Sequence, residues 1–125
     1  MFLISRGIII VSHVRSIAQG LEELIKQVAA DVPLTIAGGS EDGGVGTSFD
    51  AISQALADNE ADEILAFYDL GSAKMNLEMA MEMSDKTVDL SDAAFIEGAY
   101  SAASLLQAGA PISDIKEQLD QITVK

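Results

Sequence analysis

The sequence predicts an α/β domain built on a mainly parallel four-stranded sheet with helices on both faces. Three observations carry that prediction. Short β-branched apolar runs alternate along the chain with longer amphipathic stretches. The runs at 7–12 and 63–70 are apolar through most of their length, as strands covered on both faces are. The chain has 125 residues and no cysteine, enough to bury one core and nothing with which to staple it. A single domain over 1–125 is expected, with 1–6 read as a non-native or extended N-terminus.

Each element follows from its local pattern. "GIIIVS" (7–12) is the first strand. Residues 16–30 have helical spacing, with Ile17, Leu21, Leu24, Ile25 and Val28 expected on one face and Glu22, Glu23 and Lys26 on the other. Pro33 ends that unit, and "LTIA" (34–37) reads as the second strand. "GGSEDGGVGTS" (38–48) is a glycine-rich loop, after which Thr47 or Ser48 can cap a helix carrying Phe49, Ile52, Ala55 and Leu56. "EILAFYDL" (63–70) is the third strand.

Residues 71–85 pose a conflict. Met75, Leu77, Met79, Met81 and Met83 alternate as in a strand, yet Leu, Met, Ala and Glu favour helix. Lys74, Glu78, Glu82 and Asp85 form a polar stripe at helical spacing, which decides for a helix. "KTVDL" (86–90) is the fourth strand, and two helices close the chain at 94–108 and 112–122, parted by Gly109 and Pro111.

Charge and hydropathy narrow the function. The net charge of −13 disfavours nucleic acid and anionic membranes as partners. Residues 1–30 carry Arg6, Arg15 and Lys26 against Glu22 and Glu23, a net +1, so the rest of the chain holds −14. The stretch around the only histidine, His13, is therefore the least acidic. "MFLIS" is broken by Arg6, and "GIIIV" falls far short of the ~20 apolar residues a membrane span needs. A cytoplasmic protein without membrane insertion is expected.

In parallel α/β sheets, ligands bind beyond the carboxyl ends of the strands. His13 follows the first strand, Thr47 and Ser48 close the loop after the second, and Asp69, Gly71 and Ser72 follow the third. Singly, each has a plainer role: a hydrogen-bonded surface histidine, helix caps and turns. Together they form a candidate site. No second histidine supports a metal, "VSHVR" is no nucleophile elbow, and the first turn lacks a flavodoxin-type phosphate loop. Nor does the end of the first strand carry the acids of a receiver domain. Neither metal nor cofactor is expected.

A histidine can instead accept a phosphoryl group. Asp69 could take the N–H of one ring nitrogen and leave the other nucleophilic. Thr47, Gly71 and Ser72, near helix N-termini, could hold the phosphoryl oxygens. Arg15, at the start of a helix where the macrodipole disfavours a cation, suggests a role in docking. Arg15→Glu is then expected to slow association more than Lys125→Glu, an equal charge change at the chain's end.

"IIIVSH", "GTS" after a glycine loop, "DLGSA" and "IEGAY" (96–100) occur in this order over the chain from Gly7. Together they resemble the DhaM family, the phosphotransferase subunits of phosphoenolpyruvate-dependent dihydroxyacetone kinases. More distantly the chain is similar to mannose-type enzyme IIA domains of sugar phosphotransferase systems. The resemblance implies that His13 accepts phosphate from HPr and passes it to ADP held on a DhaL subunit. The ATP so formed would phosphorylate dihydroxyacetone on DhaK. It also implies that Asp69 orients His13, that Thr47, Gly71 and Ser72 line the phosphate, and that the chain is a homodimer. The methionine-rich 71–85 segment adds a physical hint of such a contact. Some relatives carry further phosphocarrier domains, and none is expected here. The alternatives are a IIA domain serving a sugar-specific IIB domain and a non-catalytic interaction or regulatory domain of the same fold.

Overall fold

The structure is a computed structural model and describes residues 5–125. Of the extension expected at 1–6, residues 1–4 lie outside the described residues, while Arg6 opens the first strand. The elements run β1 (Arg6–Ser12), α1 (Arg15–Lys26), β2 (Leu34–Gly38), α2 (Phe49–Asp58), β3 (Glu63–Tyr68), α3 (Ser72–Glu82), β4 (Thr87–Ser91), α4 (Phe95–Gln107) and α5 (Ile112–Asp120). The four strands form one sheet in the order β2-β1-β3-β4, and every pairing is parallel.

Alternation along the strands builds a core on each face. Ile8 and Ile10 of β1, with Leu65 and Phe67 of β3, pack against α1, α4 and α5. Ile9 and Val11, with Ile64, Ala66 and Tyr68, pack against α2 and α3. This explains why the two central strands read as unbroken apolar runs. The chain leaves β1 on one side for β2, then crosses back to place β3 on the other. The order therefore reverses between β1 and β3, and their carboxyl ends flank the crevice where such sheets bind ligands.

Boundaries shift at several elements. β3 stops at Tyr68, so Asp69 and Leu70 leave the strand and turn toward α3. Of the 71–85 segment, Ser72–Glu82 is helical, while Met83 caps the helix and Asp85 lies beyond it; Leu77 is buried and Met75, Met79 and Met83 are exposed. The helix expected over 16–30 ends at Lys26, and its predicted apolar face is only half right. Ala18, Leu21 and Ile25 are buried, whereas Ile17, Leu24 and Val28 are exposed. Small Ala18 lets the helix sit close to the sheet and rotates the contact away from the larger residues. Ser48, not Thr47, caps α2 by accepting the Ala51 amide at 3.1 Å. Among the described residues, no helix is long and apolar enough to cross a membrane.

The glycine loop is anchored on the turn that carries His13. Gly39 donates its amide to the Ser12 carbonyl at 3.2 Å, and Gly46 donates to the His13 carbonyl at 2.9 Å. Gly38 permits this approach, since a Cβ there would stand 2.7 Å from the Arg15 Cα.

Candidate functional site

His13 and Asp69 stand at the ends of β1 and β3, on the two lips of the crevice. The Asp69 amide extends the strand pairing by donating to the Val11 carbonyl at 3.2 Å, which fixes its backbone beside the β1 end. Its carboxylate is then saturated. Oδ2 accepts the Ser12 hydroxyl at 2.8 Å and the His13 amide at 2.9 Å. Oδ1 contacts His13 Nδ1 at 2.8 Å and accepts the Leu70 amide at 2.7 Å. Burial alone would push the Asp69 carboxyl up. The bonds from the His13 amide and ring, Ser12 and Leu70 outweigh it and hold the acid below its ordinary value.

An ionised carboxylate only accepts, so the hydrogen at the His13–Asp69 contact belongs to Nδ1. Nε2 is then the nitrogen with the free lone pair. It lies 2.6 Å from the Ser72 hydroxyl, which donates to it. The His13 side chain is 15% exposed, so the ring is walled in and only an edge remains open to a reacting partner. Ser72 is the first residue of α3 and Gly71 its N-cap, with no side chain capping the helix. The Ala73 and Lys74 amides donate to the Leu70 and Gly71 carbonyls at 3.0 Å each, so what this end offers an anion is the Ser72 hydroxyl and the positive end of the helix dipole.

Of the residues singled out in the sequence, His13, Asp69, Gly71 and Ser72 are thus gathered in one place. Thr47 is more weakly engaged. Its hydroxyl accepts from Asn76 Nδ2 at 2.9 Å, which ties the glycine loop to α3. Arg15 is exposed at the start of α1. Lys125 does not behave as a remote position, because its ammonium donates to the carbonyl of Tyr68, next to Asp69. The tail folds back over the sheet, where Ala94 donates to the Ile122 carbonyl at 2.9 Å.

Sequence reasoning missed Ser12. It is fully buried, donates to Asp69 and accepts the Val14 amide at 3.1 Å, thereby joining the two lips. Its position directly before His13 was the available signal. Among the described residues, no group of three or more His, Asp or Glu side chains is arranged to hold a metal ion. The arrangement is that of a fixed, singly protonated imidazole whose free nitrogen faces a hydroxyl and a helix N-terminus.

Comparison with known proteins gives a consistent set of relatives. The model of the PTS system fructose IIA component family matches residues 7–116. The phosphotransferase subunit DhaM of the PTS-dependent dihydroxyacetone kinase of Lactococcus lactis is 50% identical over 95% of this chain and 97% of its own. The phosphoryl donor subunit DhaM of PEP-dependent dihydroxyacetone kinase 1 from Listeria innocua is 45% identical over 95% and 96%. Among solved structures, a protein of unknown function, EF1359, aligns with a TM-score of 0.83 at 27% identity and covers 97% of both chains.

Proposed function

The chain belongs to the PTS system fructose IIA component family and within it to the DhaM subunits, and from this membership and the geometry of His13 we propose that it is a phosphohistidine carrier. It accepts phosphate from phospho-HPr and delivers it to ADP bound on a DhaL subunit. The ATP formed there phosphorylates dihydroxyacetone on DhaK. The chain is thus the phosphoryl donor component of a kinase system and acts as a carrier within it. The reading puts it in the cytoplasm with its donor.

One observation carries this reading: Asp69 holds Nδ1 of His13 at 2.8 Å while Nε2 faces Ser72. In the accepting step the Ser72 hydroxyl swings aside and the Nε2 lone pair attacks the phosphorus of the donor's phosphohistidine. The new Nε2–P bond forms as the donor's N–P bond breaks, and the donor imidazole leaves with that electron pair. The Nδ1 proton stays on His13, and the Asp69 carboxylate compensates the positive charge that develops on the ring. Ser72 and the first turn of α3 then serve the phosphoryl oxygens. In the delivering step a β-phosphate oxygen of ADP attacks phosphorus, and the Nε2–P electrons return to the ring.

The test is transfer itself. Chain phosphorylated by phosphoenolpyruvate, enzyme I and HPr is mixed either with ADP-loaded DhaL or with an enzyme IIB domain. Transfer to ADP is expected, and transfer to the IIB domain alone would favour the sugar branch. A homodimer belongs to the same reading, supported by exposed Met75 and Met79 on α3 and Met83 at its C-cap, and by Ile17 and Leu24 on α1 and Val28 just beyond it. A monomer mass in light scattering would overturn that part.

A further inference from the structure

Behind Asp69 lies a second charged cluster. The hydroxyl of buried Tyr68 donates to Asp92 Oδ1 at 2.5 Å, and Lys74 Nζ of α3 reaches the same oxygen at 3.3 Å. Burial first, and Asp92 second, push the Tyr68 phenol up to about 12, so it stays neutral and donates. The tail runs antiparallel to the segment after β4, with Ala93 bridged to Thr123 and Val124 donating to the Asp92 carbonyl at 3.3 Å. That run delivers Lys125. Its ammonium donates to the Tyr68 carbonyl and lies 4.0 Å from the centroid of the Tyr68 ring. The carbonyl belongs to the peptide bond that joins Tyr68 to Asp69.

We propose that Lys125 is a positioning residue for phosphoryl transfer, clamping the Tyr68–Asp69 peptide and fixing a positive charge behind the carboxylate that orients His13. The inference rests on His13 as the phosphoryl acceptor. The elements around His13 carry Arg15 on α1, Glu41 and Asp42 in the glycine loop, Asp69 after β3, Lys74 on α3, Asp92 after β4, and Lys125. Among the described residues, Lys125 is the cation hydrogen-bonded to the peptide of Asp69 itself. Lys125 is exposed as a whole, but its ammonium end is seated. Burial there lowers its affinity for a proton, and Asp92 and then Asp69 pull it back up.

A fixed cation behind Asp69 offsets part of the repulsion between that carboxylate and an arriving phosphoryl dianion. Removing the charge while keeping the aliphatic stem isolates this effect.

The experiment compares the wild-type full chain with Lys125→Met and Lys125→Arg. Initial rates of phosphoryl uptake from phospho-HPr are followed at neutral pH from low to high ionic strength. Lys125→Met is expected to lower the rate roughly threefold at low ionic strength. Lys125→Arg should keep the wild-type rate, and the loss in Lys125→Met should shrink in high salt. A purely structural tether would lose the same fraction of the rate at every ionic strength, and that result, like rates equal to wild type, overturns the inference alone. Absence of uptake by the wild-type chain at every ionic strength would overturn the carrier reading and this inference with it.

Discussion

Asp69 holds His13 by the ring and by the amide at once, so its charge and its geometry can be separated by substitution. Asp69→Asn keeps the shape but can present its amide N–H₂ to Nδ1, favouring the wrong tautomer. Phosphoryl uptake should fall by about 10²-fold, the scale of a misplaced acid–base partner. Stopped-flow transfer from phospho-HPr measures it. The same carboxylate contributes to stability, since hydrogen bonds to a charged acceptor contribute about 1.5–3 kcal/mol each. Its folded-state value is lowered, so that contribution is present above the ordinary carboxylate range of about 4 and is lost as pH falls through the lower folded value. Urea denaturation at neutral and strongly acid pH should show the wild-type advantage over Asp69→Asn vanishing in acid. His13 and Asp69 were legible because an isolated imidazole and a strand-ending acid stand out in the sequence. Ser12 and Lys125 were not. Each finds its partner 57 residues away, a distance that only the strand register and the tail's return path can close.

At the scale of elements, patterning recovered every strand and helix in order, and the errors lie at ends and faces. The end of β3 was overrun because Leu70 resumes the apolar run after a single acid, Asp69, while the pairing with β1 and β4 stops earlier. The face of α1 was misassigned because spacing identifies a stripe but not how small a residue the sheet wants beneath it; fully buried Ala18 answers that. Choosing between Thr47 and Ser48 as cap needed the helix start. Ser48 has the extended backbone and the bond to Ala51, and Thr47 is engaged by Asn76. Ser48→Ala should therefore destabilise the fold by about 1 kcal/mol, the usual value of an N-cap. Thermal unfolding should show the loss, with uptake per folded molecule nearly unchanged because the cap does not bond to His13 or Asp69.

The whole molecule reconciles strong acidity with an anionic cargo by where its charges fall. The net −13 keeps the chain soluble and repels anions at long range. At the carboxyl edge, exposed Arg15 begins α1 two residues beyond His13. Lys125 cannot serve as the reference position for Arg15, since it belongs to the same edge. Lys26 can, because it ends α1, about 16 Å down the axis, with its side chain 59% exposed. Arg15→Glu should slow association with phospho-HPr several-fold more than Lys26→Glu at low salt, with the difference fading at high salt. Equal losses would leave shape, not local charge, to select the donor.

The central claim is that Nε2 of His13 carries the phosphate, and the chain's single imidazole makes it directly measurable. The full chain is phosphorylated with phosphoenolpyruvate, enzyme I and HPr, and the bound phosphate is located by phosphorus- and nitrogen-detected NMR. One acid-labile phosphorus bonded to Nε2, and absent in His13→Ala, is the predicted result. Phosphate on Nδ1, on another residue, or undiminished in His13→Ala would contradict it.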